Sequence, residues 1–287
     1  YPADALPARV AQGRTAASWS VIVAISVVGS GKPVLLLHSS MSSHRQWQPL
    51  VAELRQDHLC IVPDLQGYGV PASKVLGNFA TREYQMADEA AVVIDAIAEL
   101  QLDEPLSIVG HSFGGALALH LAMTKPFAIK ELVLFEPVAF HLLKANGLLQ
   151  CQELLTEVQA LAEQLPKLDN LDAARVFIDY WQFDGFFSGL PLRMQQNLAE
   201  QVSKVTLDFQ ALIGEPLLLA DYQRLNLPLL LLSGSKSRRS AQRISELLHQ
   251  TIKGSELRLV ATGHMGPVTD PALVNSEICS YLRRCMA

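Results

Sequence analysis

The sequence is short of charge, of aromatic residues and of cysteine, and each shortage removes a class of function. Only 18% of the 287 residues are charged, and the net charge is −5. That balance leaves no basic surplus for phosphate contacts, so no nucleic-acid partner is expected. No apolar run approaches the roughly 20 residues that span a bilayer. The stretch from Val21 to Val28 is strand-sized and lacks a following small-residue cleavage site, so neither a membrane span nor a signal peptide is expected. The four cysteines, Cys60, Cys151, Cys279 and Cys285, form no CxxC pair and no disulfide rhythm. Reduced thiols in a cytoplasmic protein without a metal site are the expectation. Internal repeats and low-complexity tracts are also missing. What is plentiful is apolar surface, at 49% of residues. That is too much for a disordered chain, and the length suffices for one large or two small domains with a sizeable core.

From Pro33 onward, short apolar runs alternate with amphipathic stretches. Val34–Leu37 is a solid apolar tetrad ending at His38, the pattern of a strand buried on both faces. Trp47, Leu50, Val51 and Leu54 follow at helical spacing. His58–Val62 reads as a strand stopped by Pro63-Asp64. Met86, Ala90, Val93, Ile94 and Ile97 mark an amphipathic helix, Leu106–Val109 a strand, Gly114–Thr124 a helix and Leu132–Phe135 a strand. Between Val138 and about Arg224 no strand-like run occurs, only helical patterns such as Leu154, Leu155, Val158, Leu161 and Leu165. Alternation then resumes with a strand at Leu229–Leu232, a helix through Ile244, Leu247 and Leu248, a strand at Leu257–Val260, and a helix through Val274, Ile278 and Leu282. The pattern predicts an α/β fold, a doubly wound and mostly parallel sheet, with an inserted all-helical lid. Residues 1–137 and 225–287 form the core and 138–224 the lid. Residues 1–20 are Ala-rich without a clear period and read as a loosely held arm.

Gly110-His111-Ser112-Phe113-Gly114 places G-x-S-x-G between a buried strand and a helix. The motif is weak alone, and its context makes it specific. A sharp strand-to-helix turn holds the serine in a strained conformation, and glycines flank it because side chains there would collide with the neighbouring elements. The hydroxyl then stands at the helix N-terminus, where the dipole favours developing negative charge. Such a serine needs a base. Of eight histidines, His264 lies where this architecture calls for one, in Ala261-Thr-Gly-His264-Met-Gly-Pro267 between the last strand and the last helix. His111, next to the serine, reads as packing. His38 and His141 read as structural or substrate-facing.

Taken together these residues resemble the α/β-hydrolase superfamily. The resemblance covers about residues 25–285 and rests on His38-Ser-Ser40 with Trp47, on Pro63-Asp-Leu-Gln-Gly-Tyr-Gly69, on Gly110–Gly115 and on Gly263-His264. It implies a Ser–His–acid triad, an oxyanion hole of two backbone N–H groups, which fall here on Ser40 and Phe113, and a lid that shapes the pocket. It makes Asp64 a structural residue of a D-x-x-G-x-G turn. Two positions depart from the pattern. Ser39 stands where members carry glycine. The turn after Leu229–Leu232, where the usual acid lies, reads Gly234-Ser-Lys-Ser237, and no carboxylate occurs between Asp221 and Glu246. The acid need only reach the histidine in space. Glu136, at the tip of the strand Leu132–Phe135, is the expected third member, since some members place their acid there. The alternative is that Glu136 caps the lid junction and His264 works with a neutral partner such as Ser237.

Aromatic residues cluster in the predicted lid around Asp184-Gly185. Trp181, Phe183, Phe186 and Phe187, with His38, are the candidates for an apolar substrate pocket, although each serves equally to pack the lid. Arg238 and Arg239, near the empty acid position, read as a solvated pair. The expected activity is a serine esterase acting on a small, partly apolar molecule, with no metal or organic cofactor. Cleavage of C–C bonds, thioesters or amides and cofactor-free haloperoxidase or perhydrolase chemistry use the same machinery. A haloalkane dehalogenase would need an aspartate at position 112. A non-catalytic small-molecule receptor is the alternative of another class. The oligomeric state is not indicated.

Overall fold

The computed structural model describes residues 8–14, 20–68, 82–144 and 148–284. Eight strands form one sheet: β1 (Ala8–Arg14), β2 (Ser20–Gly29), β3 (Lys32–Leu37), β4 (His58–Pro63), β5 (Leu106–His111), β6 (Ile129–Phe135), β7 (Leu229–Gly234) and β8 (Glu256–Val260). Their order is β1-β2-β4-β3-β5-β6-β7-β8. The β1–β2 and β2–β4 pairs are antiparallel and the rest are parallel. Parallel strands covered on both faces have no solvent side, which is why β3 and β7 carry unbroken apolar tetrads, Val34–Leu37 and Leu229–Leu232.

The helices are α1 (Gln48–Leu54), α2 (Met86–Ala98), α3 (Phe113–Thr124), α4 (Leu149–Gln164), α5 (Asn170–Trp181), α6 (Leu192–Ala199), α7 (Val202–Gly214), α8 (Arg239–Thr251), α9 (Gly266–Thr269) and α10 (Pro271–Arg284). Successive strand residues point to opposite faces, and the core splits accordingly. Val34 and Leu36 join Trp47, Leu50, Val274 and Ile278 beneath α1 and α10. Leu35 and Leu37 join Ala90, Leu117 and Ile244 beneath α2, α3 and α8. Among the described residues, everything between β6 and β7 is helical or irregular. This insertion is continuous with the second cluster through Cys151, Phe177, Trp181 and Phe209.

One expectation is corrected. The N-terminal arm is in part a strand: β1 pairs antiparallel with β2, from Ala8 opposite Ser26 to Arg14 opposite Ser20. Strand formation depends on the neighbouring strand as well as on a segment's own pattern, so the missing period gave no warning. Residues 1–7 and 15–19 lie outside the described residues, as do Gly69 of the turn motif and Cys285. Cys60, Cys151 and Cys279 are free and buried.

Parallel register gathers the candidate residues at one edge. Phe135 lies opposite both His111 of β5 and Leu232 of β7, so the next residues along, Ser112 and Glu136, emerge side by side. Gly234 lies opposite Val260, which brings the loop after β8, carrying His264, to the same edge.

Candidate active site

Ser112 adopts φ 55° and ψ −118° as the residue before α3. Such a backbone is rare for a residue with a Cβ and persists only where its surroundings enforce it. Three hydrogen bonds do so here: its N–H donates to Phe135 O at 3.0 Å, and its carbonyl accepts from Ala116 N at 3.0 Å and Val138 N at 3.4 Å. The flanking glycines are required by close approach. A Cβ on Gly110 would lie 2.6 Å from Gly114 O, and one on Gly114 would lie 2.5 Å from His38 O. That second contact seats the end of β3 and the start of its loop against the first turn of α3.

The Ser112 hydroxyl is 2.9 Å from His264 Nε2, and His264 Nδ1 is 2.7 Å from Glu136 Oε2. With Nδ1–H donating to the carboxylate, Nε2 is left as the acceptor for the serine proton. The other oxygen of Glu136 accepts from Ser233 Oγ at 3.0 Å and from Gly234 N–H at 2.8 Å. All three side chains are buried. Glu136 also holds a positive φ, 44°, and Met41 in the loop after β3 holds 54°. Among the described residues, three of the five non-glycine residues with positive φ are therefore Ser112, Glu136 and a residue of the loop after β3, and concentration of backbone strain is what functional sites show. Ser237 does not take the acid's place. Its hydroxyl is buried without a hydrogen-bond partner, beside Gly234.

The loop after β3 accommodates serine where the superfamily has glycine because its left-handed residue is Met41, not Ser39. Ser39 N–H and Oγ both donate to Gln46 Oε1, at 3.2 and 3.0 Å. Trp181 stacks on His264 with ring centroids 3.9 Å apart, closing the site from the insertion side. Phe140 stacks on Trp181 and on Phe209, and Phe177 meets both edge-on, so four aromatic rings form one apolar wall.

Three pocket candidates are corrected. His38 does not face a pocket: Nδ1–H donates to Ser39 O at 2.8 Å and Nε2 accepts from Leu65 N–H at 2.9 Å, which ties the loop after β3 to the Asp64 turn. Burial holds its pKa below the ordinary value, so it is a neutral structural ring. Phe183 is 64% exposed on the outside of the insertion and packs edge-on against the half-buried Phe186. Phe187 is buried, its N–H held by Asp179 at 2.8 Å, within the packing of the insertion. Nothing in an aromatic cluster's spacing distinguishes Trp181 from these neighbours, since the turn at Asp184-Gly185 sends them in different directions. Phe140 and Phe209 carried no signal of their own.

His111 and His141 are structural. His111 donates from Nε2 to the main-chain carbonyl of His264 at 2.9 Å, so it holds the His264 loop as well as packing on Phe135. Burial, reinforced by the proximity of His264, pushes its pKa well down. His141 bonds Leu212 O and Tyr222 Oη, and burial lowers its pKa to about 4. Asp64 accepts from the backbone and ring of His44. Arg238 reaches Glu157 and the Tyr180 carbonyl, and Arg239 pairs with Glu246.

Sequence reasoning missed a buried ion cluster. Lys204, wholly buried on α7, contacts Glu89 of α2 at 3.1 Å and Asp208 one turn along its own helix. Tyr84 donates to Glu89, while Tyr68 and Ser40 donate to Asp208. A faint signal exists in hindsight: Glu89 interrupts the apolar stripe Met86–Ala90–Val93–Ile97. Among the described residues no helix is long and apolar enough to cross a membrane, and no group of three or more His, Cys, Asp or Glu is placed to hold a metal ion.

A mostly parallel sheet with a strained serine at a strand-to-helix turn, hydrogen-bonded to a histidine from the loop after the last strand, defines a class of hydrolase-like architecture. Residues 34–277 match the Alpha/beta hydrolase family, and the chain belongs to it. Over 270 residues it is 26% identical to a putative 2-succinyl-6-hydroxy-2,4-cyclohexadiene-1-carboxylate synthase of Bacillus subtilis, covering 88% of this chain and 91% of that protein. Over 175 residues it is 27% identical to a 2-hydroxy-6-oxo-2,4-heptadienoate hydrolase of Pseudomonas putida, covering 60% of this chain and 56% of that one. The match spans from about a third to just over half of the length of several such curated relatives, 35% and 56% being two of them. The crystal structure of a bromoperoxidase from Bacillus anthracis superposes with a TM-score of 0.74 at 18% identity, covering 96% of this chain and 100% of that one.

Proposed function

We propose that this chain is a serine hydrolase that cleaves a small, uncharged, apolar ester through a covalent acyl-enzyme. The observation that carries the reading is the unbroken hydrogen-bonded run from Ser112 through His264 to Glu136. In this reading Ser112 Oγ attacks the ester carbonyl while His264 Nε2 takes its proton. Glu136 keeps the imidazole in the required tautomer and stabilises the imidazolium. The backbone N–H groups of Ser40 and Phe113 receive the oxyanion, aided by the N-terminus of α3. His264 then passes its proton to the departing alkoxide, and a water activated by the same nitrogen releases the acid. Residues 138–224 act as a cap over a core of 1–137 and 225–287, with Trp181, Phe140, Phe177 and Phe209 facing the acyl group. Buried free thiols fit a reducing, cytoplasmic setting. The partner is the small-molecule substrate alone.

A second reading follows from the Pseudomonas putida relative. Its named substrate contains no ester or amide, so its hydrolysis must break a carbon–carbon bond beside the ketone. The same serine can serve that reaction. It ranks second here because a dienoate carboxylate asks for a cation, and Lys204, the cation packed against Phe113, is already matched by Glu89 and Asp208.

The test is intact-mass labelling with a fluorophosphonate and peptide mapping. One adduct on Ser112, lost in Ser112→Ala and slowed at least a hundredfold in His264→Ala, is the expected result. A folded protein that takes no label would overturn the reading in favour of a non-catalytic receptor.

A further inference from the structure

The buried cluster on α7 reaches both oxyanion donors. Asp208 Oδ2 accepts from the Ser40 hydroxyl and from the Tyr68 hydroxyl, each at 2.5 Å. Lys204 Nζ, bound to the same carboxylate, lies 4.9 Å from the centroid of the Phe113 ring and 5.3 Å from that of Tyr68. Gly67, in the turn after β4, sits so close to Lys204 that a Cβ there would lie 3.0 Å from its Cγ. Glu89 closes the cluster from α2, accepting from Lys204, the Tyr84 hydroxyl and the Gln66 N–H.

Such a cluster is costly to bury and is weak grounds for a stability argument, because apolar residues of similar volume commonly serve as well. Its geometry has a more specific consequence. Ser40 and Phe113 come from the core, whereas Lys204 and Asp208 come from the insertion. An oxyanion donor acts only if it points at the place the charge develops, and a shift of a fraction of an ångström lowers its effect. The loop that carries the Ser40 N–H is held from below by Ser39 on Gln46 and from above by Asp208.

Resting on the serine-hydrolase reading, we propose that Asp208 is a positioning residue: from the cap it fixes the Ser40 loop, so the oxyanion hole is complete only while α7 is docked on the core. Lys204 and Tyr68 hold Asp208 in place for that task. Cap docking then does more than cover the substrate and pack Trp181 on His264, because an undocked cap also frees the Ser40 loop and misaligns the hole.

The experiment compares wild type with Ser40→Ala, Ser40→Thr and Asp208→Asn, using a 4-nitrophenyl ester and a trifluoromethyl ketone that forms a tetrahedral adduct on the serine. Ser40→Ala keeps the backbone N–H and removes only the link to Asp208. The expected result is a fall in kcat of about tenfold or more with KM within twofold, and a parallel loss of trifluoromethyl ketone affinity, against a hundredfold or greater loss when a donor is removed outright. Ser40→Thr restores kcat to within about threefold, and Asp208→Asn behaves like Ser40→Ala. A merely structural link would lower Tm and leave kcat and ketone affinity at wild-type values, and that outcome overturns the inference alone. If Asp208→Asn does not fold, the Ser40 pair decides. Wild type without fluorophosphonate label or ester turnover overturns the hydrolase reading, and this inference with it.

Discussion

At the scale of single residues, the acid is where sequence and geometry differ most from the superfamily's usual arrangement. Glu136 reaches His264 from the end of β6, while Ser237 stands in the vacated turn with an unpartnered hydroxyl. Replacing Glu136 with Gln keeps the shape and removes the charge that orients and stabilises the imidazolium, so kcat falls by roughly 10³–10⁴ with little change in KM. Ser237 lies beside Gly234, whose N–H already binds Glu136, and close to the carbonyls of the His264 loop. Ser237→Asp in a Glu136→Ala background is therefore expected to recover about tenfold of the lost kcat, measured by ester turnover. No recovery would place Ser237 out of reach of His264. Ser112 and His264 could be named from their motifs because each needs glycines at fixed offsets. Glu89, Lys204 and Asp208 could not, since a Lys and Asp four apart on a helix ordinarily mark a solvated face. Only the packing of α7 onto the core makes them buried.

At the scale of elements, strands buried on both faces were legible to within about three residues at each end, because continuous apolar runs such as Leu229–Leu232 admit few other readings. β1 was not, since its pairing with β2 is a property of two segments and not of either one. The insertion showed its helices but not its orientation. Trp181 ends α5 and turns inward onto His264, while Phe183, two residues on, turns out to solvent. The stacked ring shields the imidazole and, in the proposed reading, walls the acyl site. Trp181→Ala should raise KM for a hexanoyl ester by roughly tenfold, the worth of about 1–1.5 kcal/mol of aromatic contact, and change that for an acetyl ester less than threefold. Equal effects on both esters would show that the ring orders His264 without touching substrate.

At the scale of the molecule, three neutral histidines pin separate junctions. His38 ties the loop after β3 to the Asp64 turn, His111 ties β5 to the His264 loop, and His141 ties the start of the insertion to α7 and Tyr222. Burial lowers the pKa of each, to about 4 for His141. The unfolded chain binds protons at these sites near pH 6.5, whereas the folded one resists. Their contribution to stability is therefore complete above about pH 6.5 and drains away as pH falls towards 4, by about 3 kcal/mol for His141 alone. The carboxylates held low by arginines, Glu246 and Glu256 among them, begin to lose their contribution only below the unfolded range near 4.5. A steep loss of denaturation midpoint between pH 6.5 and 4.5 thus belongs to the histidines. His141→Gln, which keeps a donor and an acceptor but cannot titrate, should flatten that slope by about one proton while costing stability at pH 8. An unchanged slope would mean that His141 is protonated in the folded chain, and that the stem of the insertion is open to water.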